Sequence, residues 1–169
     1  MKFFTTSLLA LLVLFACMAP AASQNKTIVL VRHAEKDTSP GADQNDPPLS
    51  ADGVKRAERL RKIAGKYRPG AVYSTNYKRA RMTVEPIAKL RKVEVQTYDP
   101  KTNPELIDLI MKSKTKRFVV AGHSNTIPGL ANLLVKKELF KNLDDAEYGT
   151  IWIIRMKDGR VTRTEVRQY

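Results

Sequence analysis

The chain holds two histidines, and each closes a short apolar run: Ile28-Val29-Leu30-Val31-Arg32-His33 and Phe118-Val119-Val120-Ala121-Gly122-His123. Runs of this length and β-branched content read as buried strands of a parallel sheet, whose carboxyl ends are where open α/β sheets place ligands. Both imidazoles are therefore expected at one rim. An imidazole titrates near neutrality and becomes a nucleophile when an acceptor fixes its tautomer. Arg32 and Glu35 flank the first histidine, Ser124 and Asn125 follow the second, and Gly122 allows close approach of backbone and ligand. A third element, Ser74-Thr75-Asn76-Tyr77-Lys78-Arg79-Ala80-Arg81-Met82-Thr83, runs from a strand end into a helix that opens with basic side chains. Cations are disfavoured at the positive end of a helix, and a bound phosphate would remove the conflict.

The elements that must position these residues alternate along the chain. A strand over 27–31 leads into a polar loop over 36–48 that ends in Asp46-Pro47-Pro48. Ser50 is placed to cap a helix from about Ala51 to Lys66, with Val54, Ala57, Leu60 and Ile63 at helical spacing. Pro69-Gly70 breaks the chain before a strand over Ala71–Ser74 and a helix over Lys78–Arg91, in which Pro86 removes a hydrogen bond. A strand over Val93–Thr97, a helix over Pro104–Lys112, a strand over Arg117–Ala121 and a helix over Ile127–Lys137 follow. Pro128 is tolerated in the first turn of that last helix. Thr150–Met156 and Arg160–Arg167, joined through Asp158-Gly159, read as a hairpin. The pattern predicts a three-layer α/β/α sandwich on a mainly parallel sheet with a C-terminal antiparallel hairpin.

Met1-Lys2, the apolar stretch Phe3 to Ala16 and the small residues Ala19 to Ser23 have the layout of a secretory signal peptide, with a break after Ala21 or Ser23. The expected organisation is thus a signal peptide over 1–23 and one domain over 24–169, giving an exported protein, periplasmic or secreted. The single cysteine, Cys17, lies within the leader, so the domain carries no disulfide. Leu14-Phe15-Ala16-Cys17 also resembles a lipoprotein signal, although Phe15 is bulkier than the usual small residue. The chain is strongly basic, with 30 Lys and Arg against 17 Asp and Glu, which favours anionic partners. The basic residues are dispersed and lack interleaved aromatics, which argues against nucleic acid and for an anionic small molecule or an envelope surface. No Cys or His-x-x-x-His cluster suggests a metal.

Arg32-His33-Ala34-Glu35, Ser74 through Thr83 and Gly122-His123-Ser124 together resemble the signatures of the histidine phosphatase superfamily, whose fold is phosphoglycerate mutase-like. Leu49-Ser50-x-x-Gly53-x-x-Arg56-Ala57 is similar to the start of that family's first helix. The resemblance runs in order over about residues 27–156. It implies a phosphatase acting on phosphomonoesters without metal or cofactor: His33 attacks phosphorus to form a phosphohistidine, and Arg32, Arg79 and His123 hold the phosphoryl oxygens. Phosphoryl transfer needs an in-line nucleophile and fixed positive charge around three equatorial oxygens, and the arginine fork supplies that charge bidentately. Lys36, Ser124 and Asn125 are further substrate-binding candidates.

The proton donor has no matching motif among Glu94, Asp99 and Glu105; Asp99, just past a strand end, is the preferred candidate, while Glu35 is placed to orient Arg32 or to join a site hydrogen bond. Asp144-Asp145 and Glu147-Tyr148 precede the last strands and could border the pocket; a solvated helix end is the preferred reading. Two departures qualify the resemblance. Ala34 replaces a glycine and requires a negative φ there. Ser39 replaces an asparagine of the mutases, and the span between the Arg79 helix and the last motif is too short for a mutase insertion. The alternatives are a phosphoglycerate-type mutase and a non-catalytic phosphate-binding module at an anionic envelope surface.

Overall fold

The computed structural model describes residues 24–169; the leader, its cleavage site and Cys17 lie outside the described residues. Six strands form one sheet in the order β3-β2-β4-β1-β5-β6. β1 (Asn25–Arg32), β2 (Ala71–Ser74), β3 (Val95–Thr97) and β4 (Arg117–Gly122) are mutually parallel where they pair, and β5 (Thr150–Lys157) runs antiparallel to β1 and to β6 (Arg160–Gln168). The expected sandwich and hairpin are both present. Asp158 and Gly159 close the hairpin with both φ angles positive, 50° and 75°, the geometry that matches strand twist in a two-residue turn.

Strand alternation assigns the two faces. Val29, Val31, Val119, Ala121 and Ile153 turn toward α1 (Ala51–Ala64) and α2 (Lys78–Arg91), whereas Ile28, Leu30, Phe118, Val120 and Ile154 turn toward α3 (Asn103–Lys112) and α4 (Thr126–Val135). The central strands are apolar throughout because both faces are covered. Each fully buried Leu, Ile or Phe contributes about 1.5–3 kcal/mol of transfer free energy, so these two layers dominate the stability of the sheet.

Several boundaries move. β1 and β4 each extend one residue past their expected carboxyl ends, to Arg32 and Gly122. α1 stops at Ala64 and passes into a 3-10 turn over Gly65–Tyr67, and α4 ends at Val135, with Lys136 in the left-handed region. The buried stripe of α1 is Gly53, Ala57, Leu60 and Ala64, while Val54 is exposed. Gly53 explains the rotation: a Cβ there would stand 2.2 Å from the Glu35 carbonyl oxygen, so only glycine lets the first turn of α1 pack against the backbone after His33. Ser50 accepts from the Gly53 amide as the expected cap, and its own amide donates to Glu35 O at 2.9 Å. Among the described residues, no helix is long and apolar enough to cross a membrane.

Candidate active site

The parallel register pairs Arg32 with Gly122, so His33 and His123 emerge side by side one residue beyond the ladder. The His33 amide donates to Gly122 O at 2.9 Å, and the two rings meet edge to face with centroids 5.3 Å apart. A Cβ on Gly122 would lie 2.8 Å from the Tyr98 hydroxyl and 3.0 Å from Ile127, so a larger residue would push against both Tyr98 and the first turn of α4. Ala34 is absent from the positive-φ positions, is fully buried, and donates its amide to Thr83 Oγ1 at 2.9 Å. Its replacement of glycine is therefore accommodated.

His33 Nδ1 lies 2.8 Å from Ala34 O. Since a carbonyl only accepts, Nδ1 carries the proton and Nε2 keeps its lone pair. Arg79 donates Nε–H toward that atom at 3.3 Å. Burial, joined by the positive charges of Arg79 and Arg32, pushes the His33 pKa down to about 3 and that of His123 down to about 4. Desolvation disfavours the imidazolium, so both rings are neutral across the ordinary pH range. His123 Nε2 is 2.9 Å from Thr75 Oγ1, a fully buried hydroxyl that fixes the ring.

Arg32 is held chiefly by main chain, with the fully exposed Asp145 carboxylate 4.0 Å from its NH2. Its NH1 donates to Asp144 O and Glu147 O at 2.7 Å, its NH2 to Asp145 O at 3.0 Å, and Tyr148 stacks on it at 4.2 Å. The carbonyls orient the guanidinium without neutralising it, and its Nε–H has no protein partner. Arg79 stands on the first turn of α2 beneath Tyr77, 4.5 Å from the ring centroid. The electrostatic conflict at this helix start is met by protein: Asp46 accepts from the Lys78 amide at 2.9 Å and lies 3.7 Å from Arg79, and Asp43 accepts from Lys78 Nζ at 3.1 Å. The loop over 36–48 thus caps α2 with its own carboxylates.

Arg32, His33, Lys36, Arg79, His123, Ser124 and Asn125 border one cavity of about 710 Å³, as the sequence placed them. Glu35 and Asp99 do not. Glu35 turns away from Arg32 and accepts from Arg56 Nε at 2.8 Å on both carboxylate oxygens, a forked pair that pins α1 behind the site and holds its pKa below the usual carboxylate range. Asp99 caps the 3-10 turn over Pro100–Thr102 by accepting from the Lys101 amide at 2.9 Å, and faces a neighbouring cavity. Sequence reasoning missed Thr75, Tyr77, Lys101 and Thr126, and preferred a solvated helix end for Asp145 and Tyr148, which border the cavity. It also missed the carbonyl cradle over 144–147, which is irregular chain and not a helix end. A run of acids and a tyrosine preceding a buried strand was the available signal, but it concerns side chains, whereas the cradle uses backbone.

Among the described residues, no group of three His, Cys, Asp or Glu could hold a metal ion. The arrangement can bind an anion and present to it a neutral imidazole lone pair. Residues 28–100 match the model of the histidine phosphatase superfamily (branch 1). No protein in the curated comparison matches. Among solved structures, the mycobacterial glucosyl-3-phosphoglycerate phosphatase superposes with a TM-score of 0.67 at 14% identity, covering 86% of this chain and 98% of that one. A structure described as phosphohistidine phosphatase SixA from Agrobacterium tumefaciens gives 0.63 at 18% identity, over 83% and 97%. One described as an alpha-ribazole-5'-P phosphatase from Escherichia coli gives 0.67 at 14%, over 85% and 97%.

Proposed function

We propose that this chain, which has the histidine phosphatase fold and matches that superfamily over residues 28–100, is an exported phosphatase that hydrolyses phosphomonoesters through a phosphohistidine on His33. The observation that carries the reading is the tautomer of His33: Nδ1–H is tied to Ala34 O, leaving Nε2 as the lone pair beside Arg79, His123 and the cradled Arg32. A phosphoryl group between the two guanidinium groups receives fixed charge on its equatorial oxygens, and preorganised donors of this kind supply most of the rate in phosphoryl transfer.

In the first step the Nε2–P bond forms and the P–O bond to the leaving group breaks, the leaving oxygen collecting a proton at the open mouth. Water then attacks phosphorus, the N–P bond breaks, and inorganic phosphate leaves with the imidazole restored. His123 enters neutral and donates a hydrogen bond to the phosphoryl group; the approaching dianion favours its protonation. Export rests on the leader over 1–23, and its cleavage is tested by sequencing the N-terminus of the protein recovered from culture or periplasm.

The decisive experiment compares phenyl phosphate hydrolysis by wild type and His33→Ala. We expect kcat to fall about 1,000-fold or more, because removing a nucleophile removes the route itself. An acid-labile phosphoenzyme should be trapped in wild type and be missing from the variant. Equal rates would leave the protein as a phosphate-binding module.

A further inference from the structure

Arg32 and Arg79 meet the two charges of a phosphoryl dianion, yet the same cavity is also bordered by Lys36 and Lys101. Neither ammonium group has a hydrogen-bond or ion-pair partner among the described residues, whereas nearby Lys78 is bonded to Asp43. Asp145, the one acid bordering this cavity, lies 4.0 Å from Arg32 and is paired with neither lysine, so both exposed ammonium groups keep their charge for an incoming anion. Lys36 belongs to the loop that follows His33, and Lys101 to the turn that follows β3, so the two come from different strand ends.

A second cavity of about 620 Å³ adjoins the first and shares Tyr77, Pro100 and Lys101 with it. Its wall carries Asp46 and Asp99, two carboxylates that disfavour an anion there. A negative group on the body of a substrate is thereby confined to the mouth of the first cavity. The scissile phosphoryl group occupies the floor, between the arginines.

Resting on the phosphatase reading above, we propose that the substrate carries a second anionic group, carboxylate or phosphate, which Lys36 and Lys101 receive at the mouth. The test compares phenyl phosphate, 3-carboxyphenyl phosphate and resorcinol bisphosphate, whose leaving groups are closely matched. In wild type at low salt, kcat/KM for the doubly anionic esters should exceed that for phenyl phosphate by about 10-fold, mainly through KM, with the ratio shrinking as salt rises. In the Lys36→Met/Lys101→Met double variant the ratio should fall toward one. Reading the ratio cancels any general loss of activity.

Preference for only one of the two doubly anionic esters supports the proposal and identifies the second group as carboxylate or phosphate. A wild-type ratio near one, or a ratio unmoved in the double variant, overturns it. Should none of the three be hydrolysed, the phosphatase reading fails. Calorimetric binding of the same compounds to wild type and to the double variant then measures the preference without turnover, under the same criterion.

Discussion

The two ends of the sheet carry cavities of comparable size and opposite character. At the carboxyl ends of β1 and β4 the cavity of about 710 Å³ is walled mainly by polar side chains, among them two arginines, two lysines and two imidazoles against the single carboxylate of Asp145. At the other end a cavity of about 500 Å³ is walled mainly by Ile107, Met111, Leu133, Leu134 and Met156. α4 joins them, with Thr126 at the first and Leu133 and Leu134 at the second. Positive charge is present at both ends. Lys26 in the apolar cavity is nearly buried, but its Nζ donates to Ser113 O at 2.8 Å and Thr115 O at 3.2 Å, where α3 ends. Its charge is used to satisfy a helix terminus. Arg32 also binds three carbonyls, yet retains a buried, unpartnered Nε–H beside the neutral His33 imidazole. What distinguishes a site from a basic patch is donor capacity left over after the fold has been satisfied.

That contrast can be broken by substitution. After the loss of His33, the largest effect is expected from Arg79→Lys. A point charge cannot reproduce a fork that reaches His33 Nε2 and, in the proposed mechanism, the phosphoryl oxygens, so kcat should fall about 100-fold with the fold intact by circular dichroism. Retained activity would assign Arg79 to helix capping with Asp46.

Acid sensitivity should also separate the ends. The folded pKa values of His33 and His123, about 3 and about 4, lie below the ordinary 6.5, so the unfolded chain binds more protons as pH falls. Their contribution to stability is present above about pH 6.5 and is lost progressively down to pH 4 and 3. Thermal melts of wild type should decline over that window, and the decline should be shallower in His33→Gln and His123→Gln. Imidazole protonation in the free protein falls below pH 4. The acid limb of kcat/KM nearer pH 6 should therefore follow the second ionisation of the phosphate ester and move with it when the ester is changed.

The smallest effect on turnover is expected from Lys26→Met at the apolar end. It leaves the Ser113 and Thr115 carbonyls without their donor and should cost about 1–3 kcal/mol in denaturant unfolding, with phenyl phosphate kinetics close to wild type. A parallel fall in kcat would tie the two ends together.

Much of this was legible in the chain. Continuous apolar runs identify β1 and β4 as buried parallel strands with Arg32, His33 and His123 at their carboxyl ends, and the strand-to-helix passage after β2 brings Arg79 to the same rim. Asp99 and Glu35 went astray for a common reason: a carboxylate near a site in sequence has several equivalent local partners, and its choice depends on packing. Gly53 brings α1 against the Glu35 backbone, which hands the carboxylate to Arg56. The Lys101 amide takes Asp99. Val54 misled the helix stripe because the glycine that permits close approach, and not the larger apolar residue, sets the buried face.

Periodicity and residue type, both local properties, determined the sandwich and which side chains gather at its rim. Tertiary structure alone decided their state. The His33 tautomer depends on the direction of one carbonyl, the low imidazole pKa values on burial by neighbouring elements, and the free donor of Arg32 on a cradle more than a hundred residues away in the chain. Backbone carbonyls carry no signature in a sequence, since every residue has one; only folding selects which three converge on a guanidinium.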